Sequence, residues 1–404
     1  MKTLIIGGGA SGMTAAIFSA KKGDETLILE HNDRLGKKIL STGNGRCNLT
    51  NKSLKIDIDS HFADLSCAER SFYKNIIDRF GYEDTISFFG SLGLMTKDRG
   101  DLVYPLSDQA SSVLDVLRFA IDELGVKVMT SCNVSDVSKT GDKGFKVKTD
   151  KGTFECDKLI IAAGSMAAPS SGSDGSGYKL ASKLGHTVNE VKPGLVQLRS
   201  KEGWLKSVSG VRSNAELTLF DKEERIYSES GELQFTDYGL SGIVAMDVSN
   251  RLSKCKSEAS VHIDLMPGED LSSLRDALKN RRSMFPHRSA ADLMSGTLNK
   301  KLGLMLLKLS GIRQDTPASK IRDDELDIMA GLIKDLKVGI EGTNGFKEAQ
   351  ICLGGVDCFE IDEKMQSRIV PSLYFCGEIL NLHGDCGGYN LQLAWSTGAI
   401  AGMA

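Results

Sequence analysis

The sequence predicts an α/β chain built on a parallel, doubly wound sheet and interrupted by an inserted β-rich domain that itself carries a helical subdomain. Three observations predict it. The chain opens on a strand–turn–helix–strand run from Lys2 to Glu30, KTLIIGGGASGMTAAIFSAKKGDETLILE. It closes on a second strand, glycine-rich turn and helix between Ser372 and Ala404. Between them the texture changes at Pro193-Gly194, first to short strand-like runs and then to charged, leucine-rich helical stretches. The expected division is therefore 1–190 and 346–404 as two parts of one domain, with 191–345 inserted, its helical excursion at about 270–338.

In the opening run, Thr3 to Ile6 is apolar and of strand character, and it empties into Gly7-Gly8-Gly9-Ala10-Ser11-Gly12. Met13, Ala16, Ile17 and Ala20 then recur at helical spacing, Gly23 stops the helix, and Thr26 to Leu29 forms a second strand ending in Glu30. This is the dinucleotide fingerprint of a Rossmann-type unit. Gly7 permits the tight turn, Gly9 lets backbone N–H groups approach a pyrophosphate, and Gly12 lets helix and sheet pack closely. The helix N-terminus, with Ser11 in its first turn, supplies oriented donors and partial positive charge. Glu30, about twenty residues on, is placed to accept from ribose hydroxyls. An ordinary glycine-rich loop would have no reason to carry both strands, the helix and the terminal acid. The run therefore binds an adenine dinucleotide.

Composition narrows the remaining choices. A chain of 404 residues accommodates two or three domains, and 41% hydrophobic with 25% charged residues is average for a globular protein. Net charge is −3 and no basic stretch is interleaved with aromatics, which argues against a dedicated nucleic-acid binder. Met1 leads directly into the first strand, leaving no room for a cleavable signal, and no apolar run approaches the ~18–20 residues that span a bilayer. Nine scattered cysteines without a CxxC indicate reduced thiols, a cytoplasmic location and no dithiol relay. The six histidines show no HxxxH or HxH spacing, so no metal site is expected; GxSxG and Walker loops are also missing.

Residues 31–51, HNDRLGKKILSTGNGRCNLTN, leave the C-terminal end of the second strand, where open α/β sheets bind ligands. Lys37 and Lys38 can neutralise phosphate, and Asn44, Arg46 and Asn48, with Gly45 and Cys47 between them, offer a dense set of donors. Residues 60–125 read as mainly helical, with Phe72, Ile76, Ile77 and Phe80 on one stripe and Val113, Val116, Leu117 and Ala120 on another. Residues 95–111 between them read as a polar loop. Val126 to Thr130 is the next parallel strand, followed by a three-run β-meander from Asn133 to Cys156. Lys158 to Gly164 is a buried strand running into a small-residue turn, where Ala163 and Gly164 allow a second close approach to a cofactor. Tyr178 to Leu184 turns helical, stopped by Gly185. In the insertion, Glu216–Phe220, Leu233–Thr236, Ile243–Val248 and Ser260–Leu265 read as strands.

At the other end, Ser372 to Cys376 is a strand running into Gly377-Glu378, and a glycine-rich turn then opens a helix near Asn390, Leu391 and Gln392. This is what a flavin site needs. The acid can bind ribitol hydroxyls, and the helix N-terminus can aim N–H groups at the N1–C2=O edge of the ring.

GGGASG, TGNGRCN (42–48), GSDGSGYKLASKLGH (172–186) and GE…GDCGGYNLQLAWSTG together resemble the BaiN-like NAD(P)/FAD-dependent oxidoreductases, along essentially the whole chain. That family includes proteins described as aminoacetone oxidases and as bile-acid Δ4,6-reductases. The resemblance implies that Ser11, Gly12, Glu30, Lys37, Lys38 and Val134 contact the ADP half of FAD. It implies that Asn44 to Asn48, Gly377, Glu378 and Asn390 to Gln392 lie along pyrophosphate, ribitol and isoalloxazine. Two positions depart from the pattern, Gln366 and Asn381, where the family has an acid.

With a single fingerprint, FAD fills the site and NAD(P)H serves as a transient electron donor. The expected reaction is hydride transfer from flavin N5 to an activated C=C of a small-molecule, enone-type substrate, steroid- or bile-acid-like. A donor is needed at the carbonyl oxygen and an acid at the α-carbon; Arg46, Tyr104, His383 and Tyr389 are candidates. The same layout serves an oxidase of amines or aminoketones that passes electrons to O₂. A tRNA-modifying flavoprotein is a third reading, against which the chain lacks a basic surface signature and a long terminal helical tail.

Overall fold

The computed structural model describes residues 1–54, 66–141 and 144–404; the start of the helical region expected from residue 60, with His61, lies outside the described residues. The described chain forms two compact units, Met1–Gly194 with Phe346–Ala404, and Leu195–Gly345.

At the centre of the first unit is a sheet of five strands: β1 (Lys2–Ile6), β2 (Glu25–Leu29), β3 (Lys127–Met129), β4 (Lys158–Ile161) and β5 (Leu373–Phe375). They lie in the order β5–β4–β1–β2–β3, and every pairing is parallel. Leu4, Ile5, Ile28, Leu159, Ile160, Leu373 and Phe375 are buried, the continuous apolar reading of strands covered on both faces. The chain winds from β1 outward through β2 to β3, then returns to the other flank of β1 with β4 and β5. The switch point is therefore the C-terminal edge between β1 and β4, where such sheets bind ligands.

Helix α1 (Ala10–Lys21) leaves that edge, as do α2 (Ser176–Lys183) and α3 (Tyr389–Met403). Ser11 to Ile17 are all buried in α1, and most of α3 is buried too, so neither helix keeps a polar face. The two helices touch backbone to backbone. A Cβ at Gly398 would lie 2.4 Å from the Ser11 carbonyl oxygen, and one at Gly402 would lie 2.5 Å from that of Ala15.

Smaller antiparallel sheets flank this core. One joins Val134–Lys139, Phe145–Thr149 and Gly152–Cys156; another pairs Val188–Gly194 with Ile351–Val356. The stretch expected as a polar loop at 95–111 instead contains a hairpin, Thr96–Arg99 against Leu102–Pro105, with Thr50–Asn51 as a third strand. Its runs are too short and charged to show an alternation. Pro105 is tolerated because it ends its strand.

The second unit holds a seven-stranded sheet in the order Leu336–Gly339, Ala259–Asp264, Arg212–Asp221, Glu224–Phe235, Gly239–Ser241, Leu198–Arg199 and Gly342–Thr343. Helices Leu271–Met284, Ala290–Met294, Lys300–Leu309 and Asp323–Lys334 share its core through Leu274, Leu278, Leu306, Leu326 and Ile333. Two expectations are corrected here. Ile243–Val248 is not a strand but the start of a helix, Ile243–Asn250. Gly242 launches it at φ +93°, and burial of Val244, Ala245 and Val248 outweighs the small helical penalty of β-branched residues. The helical run also ends at Lys334, not 338, because Leu336–Gly339 pairs with Ala259–Asp264 and buries Leu336 and Val338. No described helix is long and apolar enough to cross a membrane.

Candidate dinucleotide site

The turn after β1 is shaped by what a side chain would strike. Gly7 has φ +105°, and a Cβ there would lie 2.4 Å from the Ala162 oxygen; one at Gly12 would lie 2.0 Å from the Gly7 oxygen. Sheet, turn and α1 are thus in backbone contact at both positions. A Cβ at Gly9 would meet nothing within 4 Å, so the turn is open on that side. No side chain caps α1, which leaves its first-turn N–H groups for a ligand. Glu30 is buried and held from three directions. Its Oε2 accepts from the Gly8 N–H at 2.7 Å, and its Oε1 accepts from the Asn32 backbone N–H and Nδ2, each at 2.8 Å. A carboxylate fixed this way still has acceptor capacity for ribose hydroxyls.

The distant end of the chain arrives at the same edge. Ser11 Oγ donates to the Cys376 carbonyl at 3.3 Å, and the Gly377 N–H donates to Thr397 Oγ1 at 2.9 Å. Glu378 pairs with Lys38 at 2.6 Å and accepts from the Cys352 N–H at 3.2 Å. Lys37 turns elsewhere, to Asn32 Oδ1 at 3.1 Å and Asp33 at 3.0 Å. Ala163 and Gly164 are half-buried after β4, and Val134 is half-buried at the start of its own antiparallel sheet.

The 42–48 loop is exposed at Asn44, Gly45 and Arg46 and buried at Cys47 and Asn48. Its exit is stapled to α3: Trp395 Nε1 donates to the Leu49 carbonyl at 3.0 Å, Thr50 Oγ1 to Gln392 Oε1 at 2.5 Å, and Asn51 Nδ2 to the Gly387 carbonyl at 3.0 Å. The Gln392 amide nitrogen lies within 3.2 Å of the Phe80 and Gly81 carbonyls and closer still to the Thr85 and Ser396 hydroxyls. This side chain fixes α3 and offers a ligand nothing. Asn390 folds the turn before the helix, donating to the Gly384 carbonyl at 2.8 Å and accepting from its N–H at 2.9 Å. Leu391 is half-buried. No side chain caps α3, so ligand contacts there would come from the backbone N–H groups of Asn390 and Leu391, whereas the Gln392 N–H already donates to the Gly388 carbonyl at 2.9 Å. Nothing in a single sequence links Gln392 to residues 80–85, so its structural role could not be foreseen.

Of the proton-donor candidates, Tyr104 is half-buried beside Gly43, and the Arg99 guanidinium sits 5.2 Å from its ring centroid. Burial raises the Tyr104 phenol above its usual range, so it stays protonated and can donate. Tyr389 is buried and His383 half-buried. Burial pushes the Cys47 thiol up to about 12, which makes it a packing residue. The two departures from the family pattern have local partners: Asn381 Nδ2 donates to Glu69 Oε1 at 3.2 Å, and Gln366 Oε1 accepts from the Ser372 N–H at 3.3 Å. An aspartate at 381 would set two carboxylates against each other.

An acid and an uncapped helix from each end of one chain, meeting at the switch point of a parallel sheet, define the class: an FAD-dependent oxidoreductase of Rossmann architecture. The family described as HI0933-like protein Rossmann domain matches residues 1–404, and the chain belongs to it. It is 41% identical to a 3-dehydro-bile acid delta(4,6)-reductase of Clostridium scindens, covering 99% of this chain and 98% of that one. It is 30% identical to a ribosomal RNA dihydrouridine synthase of Escherichia coli, covering 98% and 95%. Among solved structures it resembles the Mycobacterium smegmatis Sdh1 complex in the apo form, with a TM-score of 0.50 at 14% identity, covering 100% of this chain and 67% of that one.

Proposed function

We propose that this protein reduces a carbon–carbon double bond conjugated to a carbonyl, with a steroid-like dienone as substrate and NAD(P)H as transient reductant. The observation that carries the reading is the likeness to the bile-acid delta(4,6)-reductase, which runs through the second unit as well as the first. FAD, when bound, supplies the hydride. Gly9 and the first turn of α1 hold the pyrophosphate, Glu30 orients the adenosine ribose, and Glu378, neutralised by Lys38, orients the ribitol. Backbone N–H groups at the start of α3 bind the pyrimidine edge of the flavin. Arg46 and protonated Tyr104 are the groups proposed to polarise the substrate carbonyl.

The dihydrouridine synthase relatives support a second reading, in which the substrate is a nucleobase. Dihydrouridine is uridine with its C5=C6 bond saturated, and that bond is conjugated to a ring carbonyl. The chemistry is the same; the partner differs. The deciding experiment reduces the holoprotein anaerobically with NADH or NADPH, then adds either a 3-oxo-4,6-diene steroid or unmodified ribosomal RNA. Return of oxidised-flavin absorbance with the steroid alone supports the first reading. Return with RNA alone overturns it in favour of the second. Reoxidation by neither, together with anaerobic reduction by aminoketones, would point to the oxidase.

A further inference from the structure

Tyr178 stands in the first turn of α2, at the C-terminal edge of the central sheet. Its surroundings fix where it is. The first turn of α2 presses on the ends of β4 and β5, since a Cβ at Gly177 would lie 2.8 Å from Ala163 Cβ and 2.9 Å from Ile379 Cδ1. Tyr178 is 7% exposed, and its hydroxyl has no hydrogen-bond partner among the described residues. Burial, with the Cys352 thiol and the Glu378 carboxylate nearby, pushes the phenol well above its ordinary range, so it carries a proton to donate. By contrast, the buried Tyr73 hydroxyl has the Leu54 carbonyl at 3.5 Å.

A phenylalanine would fill the same volume without burying an unsatisfied hydroxyl. Keeping the oxygen there makes physical sense if a ligand completes its hydrogen bonding. The hydroxyl makes no hydrogen bond to the neighbouring carboxylate, whose protein partners are Lys38 and the Cys352 N–H. We propose that Tyr178 is a cofactor-binding residue, whose hydroxyl donates a hydrogen bond to an oxygen of the bound flavin dinucleotide beside Glu378. This rests on the FAD reading above and adds a contact that the fingerprint motif does not include.

The test compares the parent protein with Tyr178→Phe, each stripped of flavin and titrated with FAD by fluorescence quenching, with thermal unfolding of both flavin-free proteins alongside. The expected result is FAD binding weakened by about tenfold, with flavin-free melting unchanged or slightly raised. Equal FAD affinity in the two proteins overturns the assignment. So does a flavin-free variant that melts several degrees lower, because the hydroxyl would then be satisfied within the protein. Failure of the parent itself to bind FAD would sink the wider cofactor reading, which keeps the two failures distinct.

Discussion

Replacing Lys158 with methionine should remove one contribution to the parent protein's stability that grows as pH rises above 8. Lys158 is 2% exposed, and its Nζ lies 2.7 Å from the Ala401 carbonyl oxygen, 3.5 Å from that of Gly402 and 4.6 Å from the Tyr374 ring centroid. It thus serves the open carbonyls and negative dipole end of α3, the helix whose other end faces the candidate flavin site. Burial, with a smaller contribution from Lys22, lowers its pKa from 10.5 to about 8; Asp24 and Cys376 act weakly in the opposite sense. Between those values the unfolded chain holds a proton on this lysine that the folded chain has released, so its contribution to stability rises with pH across that window. Below about pH 8 both states are protonated and the slope vanishes. A gap of about 2.5 pH units corresponds to roughly 3 kcal/mol. Urea unfolding followed by circular dichroism, from about pH 7 to about pH 10.5, should show the parent gaining on Lys158→Met by that order. Other titrating groups cancel in the difference. Parallel stability curves for the two proteins would refute the reasoning.

Two glycines on α1 and α3 should separate packing from binding. Gly398→Ala drives a Cβ into the Ser11 carbonyl and should cost about 2–3 kcal/mol, read by thermal unfolding. Gly9→Ala has open space and a negative φ, so it should leave the flavin-free melting temperature nearly unchanged while weakening FAD binding about tenfold or more. Gln392→Leu strands the Thr50 hydroxyl and should lower stability by about 1–3 kcal/mol, while FAD affinity of the folded protein stays within about threefold of the parent. The Cys47, Cys156 and Cys376 thiols, each pushed up to about 12 by burial, should resist a disulfide reagent at neutral pH until the chain is unfolded.

The cofactor half of the fold was readable because its elements carry their own local signals. β1, α1 and β2 announce themselves by apolar periodicity and by glycines at Gly7, Gly9 and Gly12, and β5 with Gly377-Glu378 repeats the pattern. Non-local pairings were not readable. The 96–105 hairpin is too short and polar to alternate, and Ile243–Asn250 has strand-like composition yet folds as a helix because of its buried face. The site divides along the same line. Glu30 and the α1 turn follow from spacing, whereas the Lys38–Glu378 pair joins residues 340 apart and the Gln392 network joins residues over 300 apart. Side chains that orient the site through such distant partners leave no periodic trace in the chain.

The visible spectrum and flavin content of the purified protein test the central claim most directly. The account predicts yellow protein carrying one FAD per chain, with Glu30→Ala and Glu378→Ala each lowering that occupancy. Colourless protein that takes up no added FAD, or occupancy indifferent to both substitutions, would contradict it.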